Sequence, residues 1–302
     1  MKNYLNDYGI SESEQLYIIG NGFDIHHKIK TEYCNFKDWL KKNAKKSSLI
    51  DLIDIFFNND NKFWSKIEQS LGEYNEYSIT DWCVPDNPTD YKYDHPGAWQ
   101  ASVEDSIPYI FGTAMDDFRN AFNEWVDSIN IKGIKTDLLL PKTAKYFTFN
   151  YTDTLENAYG IPPENVLHIH GSRLNPYDKY VFGHGTLRDV NKPYMDETIE
   201  LPYQNAYSEV IDTMNNWRKD PQKIIKNHDA FFDSLSNCKG VCVMGLSYNT
   251  VDMPYLEEVA QKVGPDCQWV LMYYNNEDYQ RAYKFSKKHN LSKPKITRRW
   301  AD

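Results

Sequence analysis

An α/β fold with a mostly parallel, Rossmann-like sheet and large helical insertions is predicted by three observations. Short apolar or β-branched runs recur along the chain, each closing on glycine or a polar residue, as strands covered on both faces of a parallel sheet do. Helical periodicity fills the intervals between these runs. The 302 residues can bury a sizeable core, and 15% of them are aromatic despite a mean hydropathy of −0.70. That is not the composition of a disordered chain.

The first strand signal is Leu16 to Ile19, which ends in Gly20-Asn21-Gly22-Phe23-Asp24 and leads into a helical pattern. From about Tyr33 to Ile131 helices and an irregular aromatic loop take over. Phe111, Met115, Phe118, Phe122, Trp125 and Ile129 recur at three- and four-residue spacing, which marks one buried face of a long helix. Tyr74 to Trp99 holds Tyr and Pro with little periodicity and reads as a lid or as a surface loop pinned by its rings. Strand signals resume at Ala144–Phe149, Val166–Ile169, Lys179–Phe182, Gly240–Met244 and Gln268–Tyr274. A second helical block, about Asp196 to Leu235, carries Tyr207, Ile211, Met214 and Trp217 as its apolar stripe. The expected division is a core of residues 1–32 and 132–302, including the block at about 196–235, and a helical, aromatic insertion at 33–131.

Lys and Arg number 34 against 43 acidic residues, a formal charge of −9, so no global electrostatic footprint for nucleic acid exists. The short basic segment Lys293 to Arg299 reads as a solvated C-terminal strand or tail. Five cysteines without a CxxC pair indicate reduced thiols rather than a disulfide framework or a zinc ribbon. The polar N-terminus and the absence of any ~20-residue apolar stretch lead us to expect a cytoplasmic protein without a membrane partner.

Five strand ends carry candidate chemistry. At Gly20 to Asp24 two glycines permit a sharp turn and close ligand approach, and Asp24 can cap the next helix; a plain strand-to-helix turn fits equally well. Asn150, at the end of a strand within Phe149-Asn150-Tyr151-Thr152-Asp153, points into the crevice of an open α/β sheet, or else Asn150 and Asp153 are turn and cap residues. In Val166-Leu167-His168-Ile169-His170-Gly171, alternation puts both histidines on one face. His170 can act as a base near neutral pH, whereas His168, deeper in the strand, reads as a hydrogen-bonded core residue. Phe182-Gly183-His184 and Gly245-Leu246-Ser247 repeat the pattern. A third and less favoured reading, a metal-dependent nuclease or other metal enzyme, would need Asp24, Asp153, His170 and His184 to converge on one ion, and no metal is expected.

Taken in order, Gly20/Gly22, Asn150, His170-Gly171, Phe182-Gly183, Gly245/Ser247 and Asn275 resemble the pattern of sirtuin-like NAD-binding domains, with 170 − 150 = 20 residues between Asn and His. LYIIGNGFDIHHKIKTEYCNF with FNYTDTLENAYG and IHG more closely resembles the phage abortive-infection family AbiH, a sirtuin-like group. No cysteines lie between His170 and Ser234, so a zinc-module deacylase is not expected. The resemblance implies a nucleotide-binding protein that hydrolyses the nicotinamide–ribose bond of NAD, with NAD as substrate or ligand and no required cofactor. It implies that Asn150 positions ribose or water, His170 is the base and His184 a second proton-transfer group. Gly20, Asn21, Gly22 and Phe23 would face the pyrophosphate, Asp24 would lie near the ribose, and Ser247 and Asn275 would bind the adenosine side, with Asp153, Gly171, Gly183 and Gly245 also among the nucleotide-binding residues. The alternative is a nucleotide-sensing module whose insertion docks a regulatory protein or a second copy of the chain.

Overall fold

The computed structural model describes residues 4–57, 63–85, 91–175, 180–190, 199–292 and 294–298. They form two compact units. The first comprises Met1–Glu32, Val126–Val181 and Asp220–Asp302, and the second Tyr33–Trp125 and Phe182–Lys219. The block at about 196–235 is therefore divided: helix Leu201–Asn215 belongs to the second unit, and helices Pro221–Asn227 and Asp229–Asp233 to the first.

The first unit is a six-stranded, all-parallel sheet. Its strands are β1 (Gln15–Ile19), β2 (Lys145–Thr148), β3 (Val166–His168), β4 (Gly240–Met244), β5 (Gln268–Tyr273) and β6 (Lys295–Arg298), in the spatial order β3-β2-β1-β4-β5-β6. This is the order of a Rossmann-like, doubly wound sheet. Alternation distributes each strand between two cores. Leu16, Ile18, Val241, Val243, Trp269 and Leu271 enter one core, together with Phe232, Leu256 and Phe285 of the helices packed there. Tyr17, Ile19, Cys242, Met244, Val270 and Met272 enter the other, with Phe23 and Leu155. Burial on both faces explains the unbroken apolar runs, each fully buried aliphatic side chain contributing ~1.5–3 kcal/mol. The basic segment near the C-terminus supplies β6, a half-exposed edge strand; Lys293 and Arg299 lie outside the described residues.

The helical unit is held by rings. Phe36, Phe118, Phe122, Trp125, Phe182 and Trp217 are all buried, and Phe182 stacks on Phe122 with centroids 3.8 Å apart and planes 6° from parallel. The stripe Phe111 to Trp125 is buried as expected, but a π-helical turn, Ile107–Gly112, precedes α-helix Thr113–Ser128, and Ile129 falls beyond the helix end. In helix Leu201–Asn215 the buried face is Pro202, Ala206, Val210 and Met214, one position off the expected Tyr207 and Ile211, which are only half-buried. The 74–99 stretch carries helices Glu76–Cys83 and Tyr91–Asp94 and the start of Pro96–Glu104 where an irregular loop was expected, with 86–90 outside the described residues.

Two further corrections concern strands. Residues 180–182 are not a strand, because the apolar side chain of Phe182 serves the aromatic cluster and not a sheet face; Lys179 lies outside the described residues. β3 ends at His168 and a turn takes in Ile169 and His170, so strand alternation stops before His170. Among the described residues, no helix is long and apolar enough to cross a membrane.

The β1 and β4 loops meet at a backbone contact that admits no side chain. A Cβ on Gly245, whose φ is +66°, would lie 2.3 Å from the Phe23 nitrogen, and one on Gly20 would lie 2.6 Å from the Gly245 carbonyl oxygen. Gly245→Ala should lower stability by about 2 kcal/mol or more, combining left-handed strain with displaced backbone. Gly264→Ala, with open space around it, should change stability by less than ~0.5 kcal/mol. Urea unfolding of both variants checks this, and equal effects would refute it.

Candidate functional site

In a parallel sheet all the carboxyl ends lie along one edge. Here β1, β2, β3, β4 and β5 deliver Gly20, Phe149-Asn150, Ile169-His170, Gly245 and Tyr274-Asn275 to that edge. The strand order reverses between β1 and β4, the place where such sheets open a ligand crevice.

The two glycine loops close on each other at this junction. Gly20 N–H donates to the Met244 carbonyl at 2.9 Å and Gly22 N–H to the Gly245 carbonyl at 2.8 Å. These amides, expected to face a pyrophosphate, are thus directed at the β4 loop. Asn21 is exposed, and its Nδ2 donates to the Thr31 carbonyl. Phe23 is buried in the sheet's second core and packs against His27 and Tyr159.

Asp24 lies in the first turn of helix α1 (Gly22–His26), but its carboxylate does not cap that helix. It is almost wholly buried and accepts hydrogen bonds from Thr152 Oγ1 at 2.5 Å and Thr154 Oγ1 at 2.9 Å, with a further one from the Asn150 side chain. Burial pushes its pKa up to about 6; the two hydroxyls, Asn150 and the charge on Arg173 oppose that rise without cancelling it. Asp24 thereby links α1 to the segment after β2. The Asn150 Oδ1 is itself buried and has no hydrogen-bond partner among the described residues. A buried amide oxygen left so is a place where a ligand donor would be stabilised.

The backbone of Asn150 is fixed from the neighbouring strand. His168 Nδ1 donates to its carbonyl at 2.8 Å while His168 Nε2 meets Glu156 Oε1 at 2.8 Å, so this histidine orients Asn150. The His170 ring, 3% exposed, sits instead among Phe149 and Tyr255, each with centroids 5.6 Å away, and Tyr151 at 6.4 Å. Gly171 follows with φ +87°, which makes the turn. Asp153 stands at the N-terminus of helix Thr154–Asn157 and forms a buried ion pair with Arg173, which also donates to the Ile129 carbonyl.

Of the residues expected at the site, Asp24, Asn150 and Asp153 share one network through Thr152, Thr154 and Arg173, and His168 joins it to β3. Ser247 is half-buried, and its carbonyl accepts from Arg281. Asn275 is exposed and caps helix Asn276–Lys288 by accepting from Asp278 N–H at 2.9 Å. His184 belongs to the helical unit, where both ring nitrogens have backbone partners: Nδ1 accepts from Thr186 N–H and Nε2 donates to the Met214 carbonyl. Burial first, then the charges of Arg188 and Arg218, lowers its pKa. Gly183 makes room for the Trp217 carbonyl, from which a Cβ would lie 1.7 Å. Asp24, Asp153 and His170 form no group of metal-binding geometry among the described residues. Thr152, Thr154, Arg173, Glu156 and Tyr255 went unread in the sequence; the polar density of residues 150–156 and a lone cation three residues past His170 were the available signals.

Asp24 holds its proton more tightly in the fold than in the unfolded chain. Its contribution therefore favours the fold fully below pH ~4 and is lost as pH rises through about 6. Relative to Asp24→Asn, the wild-type protein should lose up to about 3 kcal/mol between pH 4 and 8 in urea unfolding. Parallel pH profiles of the two proteins would contradict the assignment.

No curated protein and no solved structure matches the chain. The sequence profile of the bacteriophage abortive infection AbiH family matches residues 16–273. With strands β2 to β5, nearly all of β1 and the Asp24–Asn150–Asp153 network inside that span, the chain belongs to the bacteriophage abortive infection AbiH family.

Proposed function

We propose that the protein acts in phage abortive-infection defence by hydrolysing the nicotinamide–ribose bond of NAD or a related nucleotide at a sirtuin-like site. The observation that carries this reading is the buried, unpartnered Oδ1 of Asn150 beside the protonatable carboxyl of Asp24, at the carboxyl edge of a sheet of Rossmann-like strand order.

The chemistry matches such a site. As the C1′–N bond breaks, its electron pair goes to the pyridinium nitrogen, so nicotinamide leaves as a neutral ring and no acid is required. Positive charge gathers on the ribose; water adds to C1′ and gives its proton to a base. His170 takes that proton, Asn150 orients the water or a ribose hydroxyl through Oδ1, and ionised Asp24 stabilises the cationic sugar. The rings of Phe149, Tyr151 and Tyr255 around His170 exclude bulk water. The reaction needs only water and the nucleotide, so no cofactor is invoked. The five free thiols suit a reducing cytoplasm.

One observation favours a second reading, a nucleotide sensor that docks a regulatory partner or another copy of itself: the Gly20 and Gly22 amides are engaged by the β4 loop, as in a site closed until a signal arrives. Incubating wild type, Asn150→Ala and His170→Ala with NAD, with chromatography of nicotinamide and ADP-ribose, separates the two. The hydrolase reading expects release by wild type and a loss of ~100-fold or more in each folded variant. Saturable NAD binding with no product identifies the sensor, and equal release by all three proteins removes both residues from the chemistry.

A further inference from the structure

Where α1 ends, two and three residues after Asp24, two consecutive histidines reach one carboxylate. His26 Nε2 lies 2.8 Å from Asp137 Oδ2, and His27 Nε2 lies 3.8 Å from Asp137 Oδ1. Successive helical side chains diverge by ~100°, so this convergence is not a by-product of helix geometry. It arises because α1 stops at His26 and the chain turns through Lys28, whose φ is +61°. All three side chains lie in the sheet-bearing unit, drawn from segments more than a hundred residues apart.

We infer that His26, His27 and Asp137 form a binding site for a divalent cation of the zinc class. Imidazole and carboxylate are the donors such ions take, and three protein ligands leave a further position open. The three ligand atoms lie within 4.8 Å of one another. Metal–ligand bonds of ~2.0–2.2 Å require them to draw together by about 1 Å. The freedom for that movement is in the right place. His27 is fixed and buried, while His26 is partly exposed and Asp137 is half-exposed on the solvent side, which also gives an ion its way in.

The outer shell is already formed. His27 Nδ1 donates to the Phe23 carbonyl at 2.7 Å, which holds the ring and presents Nε2 as the lone-pair side, as ligating histidines are commonly held. Tyr159 Oη stands 2.5 Å from that Nε2, so the phenol either yields to the ion or supplies a fourth oxygen. A bound ion would clamp the end of α1 to the segment before β2. It sits apart from the Asp24 network, so the inference does not rest on the proposed hydrolysis.

The test uses untagged, full-length protein dialysed against chelator and titrated calorimetrically with Zn²⁺. Co²⁺ serves as an optical probe, and melting temperature is recorded with and without the ion. We expect one Zn²⁺ per chain, a visible Co²⁺ absorption band of low coordination number and a raised melting temperature. His26→Ala and Asp137→Asn, neither at a buried position, should weaken binding by at least about tenfold. His289→Ala, which breaks another histidine–carboxylate pair with Glu257, should bind as the wild type does. No saturable binding, or binding unchanged in both cluster variants, would show a plain His26–Asp137 ion pair and overturn the inference.

Discussion

The contact between the β1 and β4 loops is the constraint on which the sheet-bearing unit is arranged. Two backbones approach so closely at Gly20 and Gly245 that only hydrogen can stand where a Cβ would. That approach sets the start of α1, and α1 in turn aims Asp24 at the threonines beyond β2. A side chain at either junction would move the helix, and with it the carboxylate. The glycines serve this architecture before they serve any ligand.

Placing Asp24 there is unfavourable in isolation, since an almost completely buried carboxyl resists ionisation. Two hydroxyls, an amide and a distant guanidinium moderate the penalty without removing it. Persistently strained electrostatics of this kind concentrate at working sites, although structural networks also produce them. The neighbouring pair Asp153–Arg173 shows the contrast: each charge there has a direct counterion, and the pair ties the segment after β2 to the one after β3.

Much of the sheet was legible in the sequence because burial on two faces fills the central strands with apolar runs; LYII, GVCVM and WVLMY admit few other readings. Legibility failed where an apolar residue answered to something else. Phe182 reads as a strand residue but stacks on Phe122, and Tyr207 and Ile211 sit one step beside the buried face of their helix. At the site, position along the chain announced Asn150 and His170 as strand-end residues. Their surroundings were not announced, because Asp24 meets Thr152 and Thr154 across 128 and 130 residues, and no periodicity encodes that distance. His168 and His170 separated because a three-residue strand ended at His168 and the chain turned, which composition does not record.

The way the two units share the chain bears on how the protein is made. β1 emerges long before its neighbour β4, which begins at Gly240, and the helical unit is incomplete until Lys219 has been added. A nascent chain must therefore hold an apolar strand unpaired on one side while some two hundred further residues appear. Long-range closure of this kind slows folding and exposes sticky intermediates. Neither unit could be produced by simple truncation, and a break anywhere between residues 33 and 219 would leave both unfinished.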